Sequence, residues 1–252
     1  MSKLVASIKE AIEKCGLQDG MTISFHHHMR NGDYVLNMVL EQIAQMGYKN
    51  LTVNASSVFD VHEPIIGHIK NGVVTGIECN YMGAKVGKAI SEGIMDKPVI
   101  FRSHGGRASD MEKGTSKIDI AFIAAPTSDD MGNCTGKFGK SACGSIGYAF
   151  ADAMNAKKVV VITDNLVEYP LVDFSIPEVY VDYVVAVDQI GDPAGIGSGT
   201  PKITRDPVGL KMASYAAKVI DASGLLKDGF SFQTGAGGAT LATAKYVKEM
   251  ML

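Results

Sequence analysis

Residues 24–33 read SFHHHMRNGD, so three consecutive histidines (His26, His27 and His28) stand just before Arg30. The segment follows a strand-like run and opens onto a helical pattern. A helix N-terminus there would present free N–H groups and a partial positive charge. The imidazoles and Arg30 add donors, so the ligand this loop suits is an anion, either a carboxylate or a phosphate. A metal ion is the rival ligand. Neighbouring residues on an extended segment point in opposite directions, so consecutive histidines rarely converge on one ion. The expectation is an anion site without metal, in which one or two of the three touch the ligand. Solvated loop histidines remain the bland alternative for any one of them.

Three further segments could carry chemistry. SHGGRASD (103–110) follows a buried strand pattern. Its Gly105 and Gly106 let backbone approach a ligand, while Ser103, His104 and Arg107 supply a second anion grip. Alone, it reads as a turn with a surface arginine. In IDIAFIAAPTSDDMGNCTG (118–136), Asp129, Asp130, Gly132 and Asn133 read as turn formers. In the SACGSIGYAFAD that follows, Ser141, Ser145 and backbone amides could meet a ligand. Cys143 reads as structural, because nothing in the sequence lowers its pKa. FQTGAGGATLA (232–242) sets Gly235, Gly237 and Gly238 at a strand–helix junction, near to but not matching a dinucleotide fingerprint. Its N–H groups would suit developing charge on a thioester oxygen.

The elements that must position these residues alternate. Strand patterns fall at 21–25, 51–55, 74–80, 98–103, 118–126, 159–165 and 181–187, mostly continuous in apolar residues. Helical patterns separate them. MSKLVASIKEAIEKCG places Leu4, Ile8 and Ile12 on one face. Asp33 caps YVLNMVLEQIAQM, with Val35, Val39, Ile43 and Met46 on one stripe before Gly47. GAKVGKAISEGI and SIGYAFADAMNA are further helices. This predicts a mostly parallel α/β sheet flanked by helices, with ligands at the carboxyl ends of its strands. GLQDGMTISF (16–25) is echoed by GLLKDGFSF (224–232), each between helices. That predicts a first domain over 1–206 and the incomplete start of a second, homologous one over 207–252, with chance similarity as the alternative.

Composition excludes more than it selects. A net charge of −3 leaves no basic footprint for nucleic acid. No apolar run approaches the ~20 residues of a membrane span, and no signal-peptide core opens the chain. Cys15, Cys79, Cys134 and Cys143 are scattered, which suits free thiols in a cytoplasm better than disulfides or zinc.

Together DGMTISFHHHMRNGDYVLNMV, HIKNGVVTGI, SHGGR, IDIAFIAAPTSDDMGN, SACGSIGYA and GFSFQTGAGGATLA resemble the CoA-transferase superfamily, and within it the alpha subunits of citrate lyase. The resemblance covers essentially the whole chain. It implies the fold shared with sugar-phosphate isomerases and two homologous domains. It also implies a reaction in which citrate replaces acetate on an acetyl-thioester carrier, giving citryl-carrier and acetate. The partners implied are a beta (lyase) subunit and a gamma subunit, an acyl carrier with a CoA-derived prosthetic group, in a homo-oligomeric complex. No cofactor is bound directly; the enzyme acts on that carrier or on CoA thioesters. Family members run on for roughly another domain, and any covalent nucleophile would lie there, leaving the catalytic residue of this chain unknown and the fragment inactive by itself. On this reading His26, His27, His28, Arg30, His104 and Arg107 hold citrate, with Ser103, Gly105 and Gly106 beside them. Gly235, Gly237, Gly238 and Ser145 meet the thioester. Two other readings stay open: a sugar-phosphate-binding protein of the same fold, and a non-catalytic half that docks a partner.

Overall fold

The structure is a computed structural model describing residues 2–197, 202–235 and 237–252. Two compact units divide the chain, one before and one after residues 198–201. Residues 202–206, expected to close the first domain, belong to the second unit.

The first unit is built on strands β1 (Leu4–Val5), β2 (Thr22–Phe25), β3 (Leu51–Ala55), β4 (Val74–Cys79), β5 (Ile100–Phe101) and β6 (Ile120–Ala125). They are followed by β7 (Thr127–Asp129), β8 (Cys134–Thr135), β9 (Lys158–Thr163), β10 (Leu166–Val167) and β11 (Tyr183–Ala186). Its helices are α1 (Ile8–Cys15), α2 (Val35–Gln45), α3 (Ile65–Lys70), α4 (Ala84–Ser91), α5 (His104–Glu112), α6 (Gly147–Asn155) and α7 (Pro193–Gly197). Eight strands form one sheet in the order β1-β11-β9-β6-β2-β3-β4-β5, and every pair in it is parallel. The short β10, β7 and β8 form a separate small sheet.

Both faces of the main sheet are covered except at edge strand β5, whose Ile100 and Phe101 are exposed although the run before SHGGRASD reads as buried. Elsewhere this cover is why the strands read as continuous apolar runs. On β6, Ile120, Phe122 and Ala124 pack into one core with Ile12, Leu36, Val39, Leu40 and Ile43 of α1 and α2. Ala121, Ile123 and Ala125 pack into another core with Met111 of α5 and with Ala149 and Ala153 of α6. The chain builds outward from β2 through β3 and β4 to β5, then returns to start again at β6 on the other side of β2. The carboxyl ends of β2 and β6 therefore flank the point where strand order reverses, the place where open α/β sheets bind ligands. The histidine triplet leaves β2 there.

Two expectations are corrected. Leu4 is not on the first helix; it lies in β1, paired with Val184, and the helix begins at Ile8 after Ser7 accepts the Glu10 amide at 3.1 Å. The second unit has α8 (Pro207–Ala222) and α9 (Gly238–Met251), but GFSF between them forms no strand. A strand needs a neighbour for its backbone groups, and no ladder reaches those residues.

Candidate functional site

Alternation along the extended chain sends the three histidines to different partners. His26 Nε2 lies 2.5 Å from Asp152 Oδ2, with both side chains buried between the sheet and α6. His27 turns the other way, its Nδ1 2.6 Å from Ser56 Oγ, which also accepts the His27 amide at 3.0 Å. His28 donates from Nε2 to the Ala124 carbonyl of β6 at 2.7 Å, joining the two strand ends at the reversal point. Its ring stacks on that of His26 at 5.8 Å.

A cavity of about 210 Å³ opens in front of them, lined by His27, His28, Arg30, Cys143, Ser145, Gly147 and Tyr148. Arg30 sits at φ 52°, in the left-handed region that residues with a Cβ avoid, at a cost of order 1 kcal/mol. The residue is exposed, and its side chain has no partner among the described residues. Asp33 fixes the end of this turn, accepting the Val35 amide on Oδ1 at 2.9 Å and His62 Nε2 on Oδ2 at 3.0 Å. At the rim, the His104 and Tyr148 rings stand 5.7 and 5.4 Å from His27.

Electrostatically, Arg30 carries the positive charge that faces the cavity, and the two histidines lining it are neutral. Burial is the main cause that pushes His27 down to about 4, helped by His104, His26, Arg30 and Arg107. His28 is pushed down to about 4 in the same way, by burial and then by His26. Cys143 is driven up to about 12 by burial, so its thiol stays protonated and is a poor nucleophile. Burial also raises Tyr148 above the ordinary phenol range.

SHGGR is a helix start, not the turn it resembles when read alone. Ser103 caps α5 by accepting the Gly106 amide at 3.0 Å. A Cβ on Gly106 would meet that capping hydroxyl at 2.7 Å, which explains the glycine without a ligand. Gly105 is exposed. Arg107, expected to grip an anion, is only 1% exposed and is not among the residues lining the cavity. Its Nη2 and Nη1 donate to the two oxygens of Asp152 at 2.8 and 3.0 Å, and Nε donates to Asn54 Oδ1 at 2.7 Å. Burial alone would raise Asp152, yet His26 and Arg107 hold it below the usual carboxylate range. Arg107 and Asp152 thus form a buried charge pair, with His26 bonded to the same carboxylate.

The structure brings together His27, His28, Arg30, His104 and Ser145 of the expected set. It adds Tyr148 at the cavity, and Ser56, Asp152 and Asn54, all buried, among the partners of the histidines and Arg107. Asp152 had a sequence signal: a carboxylate at the buried spacing of an otherwise apolar helix, AFADA. Ser56 and Asn54 had none. Asp129 is the turn former expected, its Oδ1 accepting the amides of Met131, Gly132 and Asn133 at 2.9–3.1 Å. Ser141 donates to Asp164 at 2.7 Å. Gly235, Gly237 and Gly238 lie in the second unit, where Gly235 joins Phe232, Thr240 and others around a hollow of about 220 Å³. Gly238 is needed for packing, since its Cβ would meet the Lys202 carbonyl at 2.9 Å. Among the described residues, no three His, Cys, Asp or Glu side chains converge as metal ligands, and no helix is long and apolar enough to cross a membrane.

A parallel sheet with a polar cavity at its reversal point defines an α/β ligand-binding class, and comparison narrows it to the CoA-transferase fold. An acyl-CoA transferase from Escherichia coli O157:H7, solved as a thioester complex with CoA, superposes with a TM-score of 0.61 at 14% identity. The match covers 86% of this chain and 54% of that one. The family model for the citrate lyase alpha subunit (CitF) matches residues 1–252, and the chain belongs to that family. The citrate lyase alpha chain of Haemophilus influenzae is 50% identical over 249 residues, covering 99% of this chain and 50% of that protein. An alpha subunit of citrate lyase from Streptococcus mutans, solved with citrate, is 56% identical with a TM-score of 0.94, covering 100% of this chain and 49% of that one. The chain thus spans about half the length of these two relatives.

Proposed function

We propose that the cavity at the ends of β2 and β6 binds citrate for acyl exchange, as part of a citrate CoA-transferase. In the reaction, a citrate carboxylate attacks the acetyl-thioester carbonyl. The C–S bond breaks and a thiolate carrier leaves a citryl–acetyl anhydride. The thiolate then attacks the citryl carbonyl, and acetate departs. Arg30 supplies the charge that holds a carboxylate, and neutral His27 and His28 supply directional hydrogen bonds. The carrier is an acyl carrier protein with a CoA-derived arm, reached through the glycines Gly235, Gly237 and Gly238. A lyase subunit consumes the citryl thioester, and the assembly works in the cytoplasm.

The observation that carries this reading is the unpaired Arg30 beside two neutral histidines at the sheet's reversal point. The citrate in the Streptococcus mutans structure, in a subunit of the same family, supports it. Isothermal titration of the purified protein with citrate and with glucose 6-phosphate tests it. Citrate should bind and the sugar phosphate should not; the reverse result would favour a sugar-phosphate-binding protein of this fold.

A further inference from the structure

The hydrogen bonds around His27 and His28 place their imidazole protons, and the two come out opposite. His28 Nε2 faces a carbonyl oxygen, which can only accept, so the proton is on Nε2 and Nδ1 carries a lone pair. That Nδ1 has no partner among the described residues and is not sealed in the core, so it opens onto the cavity that His28 lines. His27 differs. Ser56 Oγ already accepts the His27 amide, and its own proton has no acceptor other than His27 Nδ1. Ser56 therefore donates to Nδ1, and the His27 proton lies on Nε2, which is likewise unpartnered and open. The cavity thus offers a cation at Arg30, an N–H donor at His27 and one fixed acceptor at His28. Carboxylates account for the first two. A bare lone pair is a poor neighbour for a carboxylate and a good one for a hydroxyl.

We propose that His28 reads the substrate's hydroxyl group, accepting its proton on Nδ1, so that the site selects hydroxypolycarboxylates over the same acids lacking the hydroxyl. The inference rests on the citrate reading above. The Ala124 carbonyl fixes the rotation of the ring and the stack on His26 fixes its plane, which makes the acceptor directional. Tyr148 and Cys143 line the same cavity, and neither is bonded to His28.

Titration calorimetry with citrate and with propane-1,2,3-tricarboxylate, which lacks only the hydroxyl, tests the inference. Citrate should bind about five- to tenfold more tightly, the effect of one neutral hydrogen bond. In His28→Phe the ratio of the two affinities should fall to about one, whatever the affinity for the tricarboxylate becomes. Equal binding of the two acids by the wild-type protein would overturn the role of His28 and leave the citrate site standing. Failure of both acids to bind would overturn the citrate site itself, and the inference with it. A second measurement needs no folded variant. In long-range ¹H–¹⁵N spectra His28 Nδ1 should be unprotonated and should shift on adding citrate but not the tricarboxylate. A protonated Nδ1, or one unmoved by citrate, would sink the idea.

Discussion

Ser56 and the Ala124 carbonyl act oppositely on adjacent histidines, and burial keeps both rings uncharged. His27 and His28 should therefore titrate near pH 4 in ring C–H NMR spectra, against about 6.5 for an ordinary histidine. The unfolded chain takes up these protons as pH drops through about 6.5, whereas the folded chain waits until about 4. Stability should fall across that window with decreasing pH and flatten below it as far as these groups are concerned. Urea denaturation at pH 7, 5.5 and 4.5, with and without both histidines changed to Asn, measures the slope. Midpoints of titration near 6.5 would mean that the rings are solvated. Arg30 is the complementary case. It is exposed and bonded to nothing, so Arg30→Ala should alter stability by within about 0.5 kcal/mol. Citrate affinity should fall ten- to a hundred-fold, from losing a charge-assisted contact of roughly 1.5–3 kcal/mol. His27, His28 and Arg30 were legible as candidate site residues because of their types, and they line one cavity. Which histidine faces the cavity was not, because that depends on Ser56 and Ala124, which meet the triplet only in the fold.

The elements α5 and α6 are joined by a charge pair as well as by apolar contact. Arg107 on α5 and Asp152 on α6 are buried against Asn54 of β3, so removing one partner leaves an uncompensated charge in the core. Arg107→Ala should cost about 3–5 kcal/mol of stability, read from urea denaturation. A loss below about 1 kcal/mol would mean that water reaches the pair. The sequence hides this role because a Gly-Gly pair is a turn signal, with each glycine costing a helix about 1 kcal/mol. The Ser103 cap and the buried Arg107 and Met111 outweigh that cost. Strands with long apolar runs, such as 51–55 and 118–126, were readable, since burial on both faces leaves a local pattern. Of the four two-residue strands, β5 lies within the run read at 98–103, whereas β1, β8 and β10 were not readable, because pairing partners alone define them.

At the scale of the molecule, sheet order decides where the site lies, and order is invisible to periodicity. The cavity needs residues from β2 to α6, more than a hundred positions apart, which the parallel topology sets side by side. On the proposed function Gly235 and Gly237 meet the thioester; both are exposed in the second unit, so a thioester held there would meet water. Citrate-dependent release of labelled acetate from an acetyl thioester should therefore be slow with the 252-residue polypeptide alone, at least a hundred-fold below a complete citrate lyase. Rates within a few-fold of that enzyme would refute this. The sheet's first strand brings a different consequence, one of timing. Leu4 pairs with Val184, and 184 − 4 makes 180 residues of separation. At the ~5–20 residues per second of synthesis, β1 leaves the ribosome roughly 10–40 s before its neighbour exists. Meanwhile β2, β3 and β4 can already pair with one another. The N-terminal strand is thus the last to be seated, and until β11 is made the growing sheet carries an open edge that a chaperone can hold or another nascent chain can invade.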